Sequence, residues 1–333
     1  MSSAAGTVAR WLAPLFAIAA IATVAGVGLP VVSTQVRLAG EANPLAGRPF
    51  YVDPISKAMR AAQASPGNPQ LDYVANTPQA YWLDQAFPAS TVSGTVSKLV
   101  GAAQGAGATP VLAIYALPHR DCYSFAAGGF GSGDGYRQWI DAISAGLGGA
   151  PAAIILEPDA LAMADCLSGD QRQERFDLIR YAVDTLTRDP AAAVYVDAGH
   201  SRWVDAGEMA NRLNQVGIER ARGFSLNTTN YFTTEEQIGY GEAISGMTNG
   251  AHYVIDTSRN GNGPAPDSPL SWCNPPGRAL GVPPTTATAN PKIDAYLWVK
   301  RVGESDGSCD RGEPSAGTFV NQYAIDLARN AGK

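Results

Sequence analysis

The sequence predicts an α/β fold built as one barrel of parallel strands, and three observations indicate it. Short apolar runs that end in polar residues recur about every 30 to 45 residues. Helical patterns lie between most of these runs, which is the order of βα units with a parallel sheet. No linker rich in Pro, Ser or Thr and no longer repeat divides the chain. The units, about eight in number, are therefore expected to share one core.

Eight runs read as strands, each 5 to 9 residues long. In chain order they are PFYVD (49–53), AYWLD (80–84), TPVLAIYAL (109–117), AAIILEP (152–158), AAVYVDAG (192–199), GFSLNTTN (223–230), HYVID (252–256) and AYLWVK (295–300). Ser168 and Thr233 are predicted helix N-caps, the second with Glu236 completing a capping box. The Gly/Pro-rich segment 258–291 is predicted to be a long functional loop between two strands.

The composition suits a large core and an uncharged ligand. The 333 residues are 45% hydrophobic and 16% charged, and the net charge is −6 with no block of Lys or Arg. Nucleic acid is excluded as an expected partner, because phosphate binding needs a basic surface. Thirteen Tyr and six Trp favour a ligand with apolar or sugar-like faces.

The N-terminal segment differs from the rest of the chain. After Arg10 it reads WLAPLFAIAAIATVAGVGLPVV, which is about as long as a membrane span. We interpret residues 1–35 as a signal peptide or an N-terminal membrane anchor, with a buried core helix as the alternative, and residues 36–333 as a single domain. The protein is then expected to be secreted or at the cell surface, with membrane contact only through such an anchor.

Four cysteines in an exported chain indicate disulfide bonds. Cys122, Cys166, Cys273 and Cys309 each follow a strand-like run, so we interpret them as the pairs 122–166 and 273–309, although the sequence permits three pairings. A zinc site is disfavoured, because the chain has no C-x-x-C motif and only three histidines.

Polar residues close most of the apolar runs, and the ends of parallel strands in a barrel meet at one mouth. These residues are Asp84, Tyr115, Asp121, Glu157, Asp159, Asp197, Asn227, Asn230, Asp256, Glu304 and Asp306. Carboxylates crowded in a partly dry cleft repel one another, which keeps at least one of them protonated. A protonated acid facing a carboxylate that activates water is the pair that glycosidic bond cleavage requires. Binding of Ca²⁺ or Mg²⁺ is the alternative for such a cluster, although the EF-hand spacing is absent.

Seven motifs stand in a fixed order along the chain. They are YALPHRDC (115–122), ILEPDAL (155–161), YVDAGHSRW (195–203), NTTNY (227–231), IDTSRNGNGP (255–264), WCNP (272–275) and LWVKRVGESDG (297–307). The ordered set resembles glycoside hydrolase family 6, the inverting cellulases, and NPLAGRPFYVDP with YWLDQ extends the likeness to nearly the whole mature chain. The resemblance implies a distorted TIM-like barrel with fewer closed strands than eight. It also implies cleavage of β-1,4-linked glucan with inversion, without a metal or other cofactor.

The resemblance implies four catalytic positions. Asp159, in EPD, matches the general acid, and Asp121, in RDC, matches the acid that hydrogen-bonds to it and keeps it protonated. Asp306, in GESDG, matches the proposed base, and Tyr115 matches the tyrosine that crowds the distorted sugar. The likeness also supports the two disulfide pairs, which would tether the loops bearing the three aspartates.

Further positions match residues that bind sugar or support the site. Those implied to bind sugar are Trp82, Trp203 and Trp272 as stacking platforms, and His200, Asn230, Lys300 and Glu304 as polar contacts. Arg259 and Lys300 match the cationic neighbours of Asp306. Asp197 is expected to support the site. For Glu157 and Asp197 the alternative is that they only orient neighbours or cap a helix, and for His200 it is a purely structural role. Trp298 and Asp256 are expected to be structural.

Two features of the sequence bear on how a glucan would be cut. RDCYSFAAGG places Ala126 and Ala127 where many relatives have a serine near the attacking water. Between Asp306 and the last helix lies only GSCDRGEPSAG, which favours an open cleft and endo action. The protein is separately expected to be a monomer. An exo-acting cellobiohydrolase and a non-catalytic secreted polysaccharide-binding protein are the alternatives.

Overall fold

The computed structural model describes Met1, residues 42–288 and residues 290–333. The predicted signal peptide or anchor over residues 1–35 lies, apart from Met1, outside the described residues and stays a prediction. From Ala42 onward the described residues fall in one structural unit. None of the helices described is long and apolar enough to cross a membrane.

Seven strands form one parallel sheet in which each strand lies beside the next one along the chain. They are β1 (Tyr81–Leu83), β2 (Val111–Ile114), β3 (Ala152–Leu156), β4 (Ala192–Asp197), β5 (Gly223–Leu226), β6 (His252–Asp256) and β7 (Ile293–Leu297). The sheet curls until its two edges meet where the Ala80 N–H donates to the Trp298 carbonyl, at 3.0 Å. The predicted class, a distorted TIM-like barrel, is confirmed.

The first of the eight predicted strands is wrong. Residues 49–53 form only an isolated bridge between Phe50 and Thr109. Pro49 begins the run and Pro54 follows it, and proline has no N–H to donate to a ladder. A strand there would end after a few residues, so the pairing beside the start of β2 is limited to one bridge.

Eight helices accompany the sheet in the described part of the chain. They are α1 (Lys57–Ala64), α2 (Pro69–Ala75), α3 (Ala89–Gly105), α4 (Gly133–Leu147), α5 (Gly169–Leu186), α6 (Ala206–Gln215), α7 (Thr234–Met247) and α8 (Asn321–Asn330). Ser168 caps α5 and forms a reciprocal capping box with Gln171. Thr233 caps α7 as predicted, but the predicted box is incomplete because the Glu236 carboxylate pairs with Arg202 instead.

The strands bury side chains on both faces, as expected for parallel strands. On β3, Ile154 and Leu156 pack outward against α3 to α7, and Ala153 and Ile155 fill the barrel interior. Trp298 is buried in a third cluster formed with α1, α2 and α8, as predicted.

A buried ion pair ties the N-terminal ends of the strands together. Arg222, just before β5, donates to both oxygens of Asp294 on β7, at 2.7 and 2.9 Å. The Tyr195 hydroxyl donates to the same carboxylate at 2.7 Å. Burial alone would raise the pKa of Asp294, but Arg222 and its other hydrogen-bond partners lower it. Gly223 is required here, because a Cβ would lie 1.7 Å from the His252 carbonyl oxygen.

We predict that Asp294→Ala lowers the free energy of unfolding by about 3 to 5 kcal/mol, because it leaves the charge of Arg222 buried without this carboxylate. Urea unfolding followed by tryptophan fluorescence measures the change. As a matched control, Asp326→Ala removes an ion pair with Arg329 that is about half exposed, and it should change stability by less than about 1 kcal/mol. Equal effects of the two substitutions would contradict the prediction.

Candidate active site

The predicted catalytic residues converge at the C-terminal ends of the strands, in a cavity of about 340 Å³. The predicted site residues that line it are Trp82, Tyr115, Asp121, Asp159, Trp272, Lys300, Glu304 and Asp306. They come from the ends of β1, β2, β3 and β7 and from the loop 258–291. The crowding of acids expected from the alternation of strands and helices is therefore present.

The turn after β3 is fixed by two carboxylates. Glu157 is buried and accepts hydrogen bonds from the backbone N–H groups of Ala116 and Leu117, at 3.0 and 3.2 Å, which joins the end of β3 to the end of β2. Asp197 at the end of β4 accepts from the Asp159 N–H at 2.9 Å. Glu157 and Asp159 both have positive φ, 53° and 67°, a conformation that costs energy for residues with a side chain. These hydrogen bonds hold the strained turn in place.

Asp159 is placed to stay protonated. Its Oδ1 is fully buried and has no hydrogen-bond partner among the described residues. Burial, followed by the nearby charges of Asp197 and Asp121, raises its pKa well above the usual range. The Lys300 ammonium opposes this shift. The Asp159 carboxyl therefore keeps its proton to a higher pH than an ordinary aspartic acid does.

Asp197 is a buried neighbour that orients Asp159. Besides the Asp159 N–H, it accepts from the Gly199 N–H at 3.0 Å and from the Ser225 hydroxyl at 2.9 Å. Burial raises its pKa to about 6, against these hydrogen bonds. The orienting role that the sequence left open for Asp197 agrees with these contacts.

Asp121 lies in a strained turn after β2. His119, Asp121 and Cys122 have φ of 56°, 60° and 43°. The Cys122–Cys166 disulfide joins this turn to the one after β3. Asp121 accepts from the Ala126 N–H at 2.9 Å, and burial raises its pKa. The expected hydrogen bond between Asp121 and Asp159 is absent from the contacts of these described residues, and the charge of Asp121 acts on Asp159 through space.

Asp306 is held as an anion. Its carboxylate contacts Arg259 and Lys300, each at 2.8 Å, and accepts from the Tyr231 hydroxyl at 3.1 Å. Burial would raise its pKa, but the two cations hold it far below its usual range. The backbone N–H of Asn274 donates to it at 3.1 Å. The second predicted disulfide, Cys273–Cys309, is also present and closes this loop.

Three predicted sugar-binding residues lie outside this cavity. His200 and Trp203 form an aromatic group with ring centroids 5.2 Å apart, and His200 lies 4.2 Å from the Phe232 ring. Trp203 is 39% exposed. Burial lowers the pKa of His200 to about 4. The Asn230 side chain donates to the Thr228 carbonyl. Their roles in sugar binding stay predictions.

Arg175 on α5 is a site residue that sequence reasoning missed. It is buried, and its guanidinium donates to the Ala160 carbonyl at 3.0 Å and to the His119 carbonyl at 2.7 Å. It thereby joins the turn bearing Asp159 to the turn bearing Asp121. The signal for it was a charge in line with the apolar stripe of α5, four residues before Ile179.

The calcium alternative finds no support in this geometry. Asp306 already pairs with two cations, and Asp197 is occupied by N–H and O–H donors. Within residues 42–288 and 290–333, no group of three or more His, Cys, Asp or Glu side chains could hold a metal ion.

Comparisons with known proteins agree with the motifs. The sequence model of Glycosyl hydrolases family 6 matches residues 42–331. Endoglucanase A of Cellulomonas fimi is 46% identical over 284 residues, which cover 85% of this chain and 61% of that protein. Endoglucanase A of Thermobispora bispora is 43% identical over 324 residues, which cover 95% of this chain and 69% of that protein. This chain thus spans less than two thirds of the first relative.

A solved structure is also similar. The endoglucanase Cel6 from Mycobacterium tuberculosis, in complex with methyl-cellobiosyl-4-deoxy-4-thio-β-D-cellobioside, has a TM-score of 0.87 and 74% sequence identity. The match covers 88% of this chain and 100% of that one. The resemblance drawn from the motifs is confirmed.

We predict that Glu157 makes stability fall as pH rises. Burial raises its pKa from 4.5 to about 7, so its stabilising contribution is full below pH 4.5 and is lost as pH rises through 7. Glu157→Gln should remove this dependence, and the wild type should lose about 3 kcal/mol more than the variant between pH 4.5 and 8. Urea unfolding at several pH values measures this. Parallel curves for the two proteins would show that Glu157 does not titrate in this way.

Proposed function

The chain belongs to glycosyl hydrolase family 6, and from this membership and the site geometry we propose that it hydrolyses β-1,4-glucosidic bonds in cellulose or related β-glucans with inversion. The observation that carries the proposal is one cavity lined by both Asp159, whose pKa burial and two neighbouring acids raise, and Asp306, whose pKa Arg259 and Lys300 lower. The endoglucanase relatives, and the thio-linked oligosaccharide bound to the similar Cel6 structure, support the substrate class.

Asp159 is proposed as the general acid. As the bond between the anomeric carbon and the bridging oxygen breaks, this oxygen takes the proton of Asp159 and leaves as a hydroxyl group. Asp121 and Asp197 repel the charge that would form on free Asp159, which keeps the proton in place before substrate binds. Arg175 fixes the two turns that set this spacing.

Asp306 is proposed as the carboxylate on the side of the attacking water. The water attacks the anomeric carbon from the face opposite to the leaving oxygen, and its proton passes to Asp306 and on to solvent. Because Arg259 and Lys300 hold its pKa so low, Asp306 is a weak base. Its negative charge also stabilises the positive charge that develops on the sugar. Ala126 and Ala127 line the same cavity without a hydroxyl group, and the Ala126 N–H donates to Asp121 at 2.9 Å.

Aromatic side chains provide the faces on which glucose rings would stack. Trp82 lies edge-on to Tyr115, with centroids 5.4 Å apart, at one side of the cavity. Trp272, 41% exposed, lies 5.9 Å from Phe125 on the wall formed by the loop 258–291. Trp203 and His200 are proposed to bind sugar farther along the cleft. Trp and Tyr present apolar faces with a polar edge, which suits a pyranose ring.

We propose endo action outside the cell or at its surface. The segment that follows Asp306 reaches α8 in only 14 residues, and Trp203 and Trp272 are both about two-fifths exposed. A chain could therefore enter sideways. The two disulfides beside the site suit an oxidising compartment.

We predict that Asp159→Asn lowers kcat on carboxymethylcellulose by roughly 10²- to 10⁴-fold while glucan still binds, because it removes the proton donor and little else. Reducing-sugar release and viscosity loss measure rate and endo action together. Proton NMR should show the α-anomer first. The exposed control Asp134→Asn should keep full activity. Turnover by Asp159→Asn at the wild-type rate would refute the acid, and slow viscosity loss would indicate exo action.

We predict that removing each of the two cations changes the pH dependence of kcat/KM in a different way. Lys300 lowers the pKa of both Asp306 and Asp159, so Lys300→Met should move both limbs to higher pH. Arg259 pairs with Asp306, so Arg259→Met should move mainly the acidic limb. In each variant the acidic limb shifts to higher pH because the pKa of Asp306 rises when one of its two cations is removed. Profiles that keep the wild-type limbs in both variants would contradict the roles of the two aspartates.

A further inference from the structure

A second cavity, of about 380 Å³, lies directly beside the catalytic one. The two cavities share four lining residues, Trp82, Asp84, Arg301 and Glu304. The two cavities are therefore adjacent, with Trp82 and Glu304 at their junction. We refer to this second space as the seam cavity, because it lies where β1 meets the segment that follows β7.

The open edge of the barrel creates the seam cavity. β1 and β7 are not neighbours in the sheet, and their surroundings meet through the bond from Ala80 N–H to the Trp298 carbonyl and through the Trp82 indole, which donates to the Val299 carbonyl at 2.8 Å. The segment before α1 and the start of that helix line the other side. A ligand could lie between β1 and the segment after β7 without interrupting the hydrogen bonds of the sheet.

The charges around the seam cavity favour an uncharged ligand. Three acidic and three basic side chains line it, namely Asp53, Asp84, Glu304, Lys57, Arg60 and Arg301. Two of these bases are bound to Glu304, Lys57 at 2.9 Å and Arg301 at 2.9 Å. An anion would be repelled by the acidic side chains, and a cation would be repelled by the basic ones. Hydroxyl groups could accept and donate at either kind of side chain.

The apolar surface of the seam cavity is aromatic. Tyr81 and Phe87 line it with ring centroids 6.0 Å apart, and Trp82 forms the junction. Ile55, which is 70% exposed, stands at the rim. Aromatic rings among convergent polar groups are the usual lining of a small-molecule site, and the volume is at the lower end of the range for such sites.

We propose that the seam cavity binds a further glucosyl unit of the substrate chain, beyond the unit that stacks on Trp82. This inference rests on the proposed function and deepens it. A glucan chain would run from the catalytic cavity past Trp82 and Glu304 into the seam cavity, and its end would leave through the gap between β1 and the segment after β7. The site adds affinity for chains longer than those that the catalytic cavity holds.

The test compares short and long oligosaccharides in a background that does not turn them over. Cellotetraose and cellohexaose are titrated calorimetrically into Asp159→Asn alone and combined with Asp53→Ala or Ala86→Arg. Asp53→Ala removes a polar group from the seam cavity, and Ala86→Arg fills it from an exposed lining position. Asp134→Ala, on the exposed surface of α4, is the matched control.

We expect each seam variant to weaken cellohexaose binding about five- to tenfold, the loss of roughly one good contact. Cellotetraose binding should change less than about twofold, and the control should change neither. Unchanged cellohexaose affinity in both seam variants overturns the inference, and so does an equal loss for both oligosaccharides or an absence of binding. Hydrolysis of carboxymethylcellulose by the wild type is measured alongside, so that the proposed function can stand when the seam cavity fails.

Discussion

Carboxylates buried at one end of a parallel sheet must be neutralised, and the way each is neutralised sets its chemistry. Asp197 accepts from N–H and O–H groups, and the buried Asp159 Oδ1 has no hydrogen-bond partner among the described residues, so burial raises both pKa values. Asp306 contacts two cations directly, so its pKa falls despite equal burial. A carboxyl group with a raised pKa and one with a lowered pKa therefore face the same cavity. Any substitution that moves a cation toward Asp159 or away from Asp306 would reduce this difference.

The geometry that keeps these groups together is strained, and the fold holds it with contacts from outside the cavity. Asp121 and Asp159 both have positive φ, which a side chain disfavours. Arg175 joins the two turns by their carbonyl groups, and the Cys122–Cys166 bond joins them again. Glu157 joins the strands beneath. These groups have structural contacts only, yet the distance between the two catalytic turns depends on them.

Much of this arrangement follows from local pattern, and the exceptions share a physical reason. Seven strands and the cap at Ser168 depend on near neighbours in sequence, so periodicity and capping rules predicted them. Both disulfide pairs were also predicted, first from their loops and then from the resemblance. Glu236 failed as a capping partner because Arg202, distant in sequence, competes for its carboxylate. Arg175 was missed for a related reason, since its partners are carbonyl groups of two distant turns. Sequence identifies the residue types at a site, but the partners that neutralise them are set by the tertiary fold.

Residues 49–53, which form one bridge and no strand, lead into the segment that lines the seam cavity. A strand over residues 49–53 would continue along β2, where Phe50 pairs with Thr109. Instead Phe50 makes one bridge near the start of β2, and the chain after it turns through Asp53 and Ser56 into α1, lining the gap. Lys57 then reaches back to Glu304 at the junction with the catalytic cavity. Because the pairing stops at one bridge, the segment that follows Phe50 is free to line the seam cavity beside Trp82.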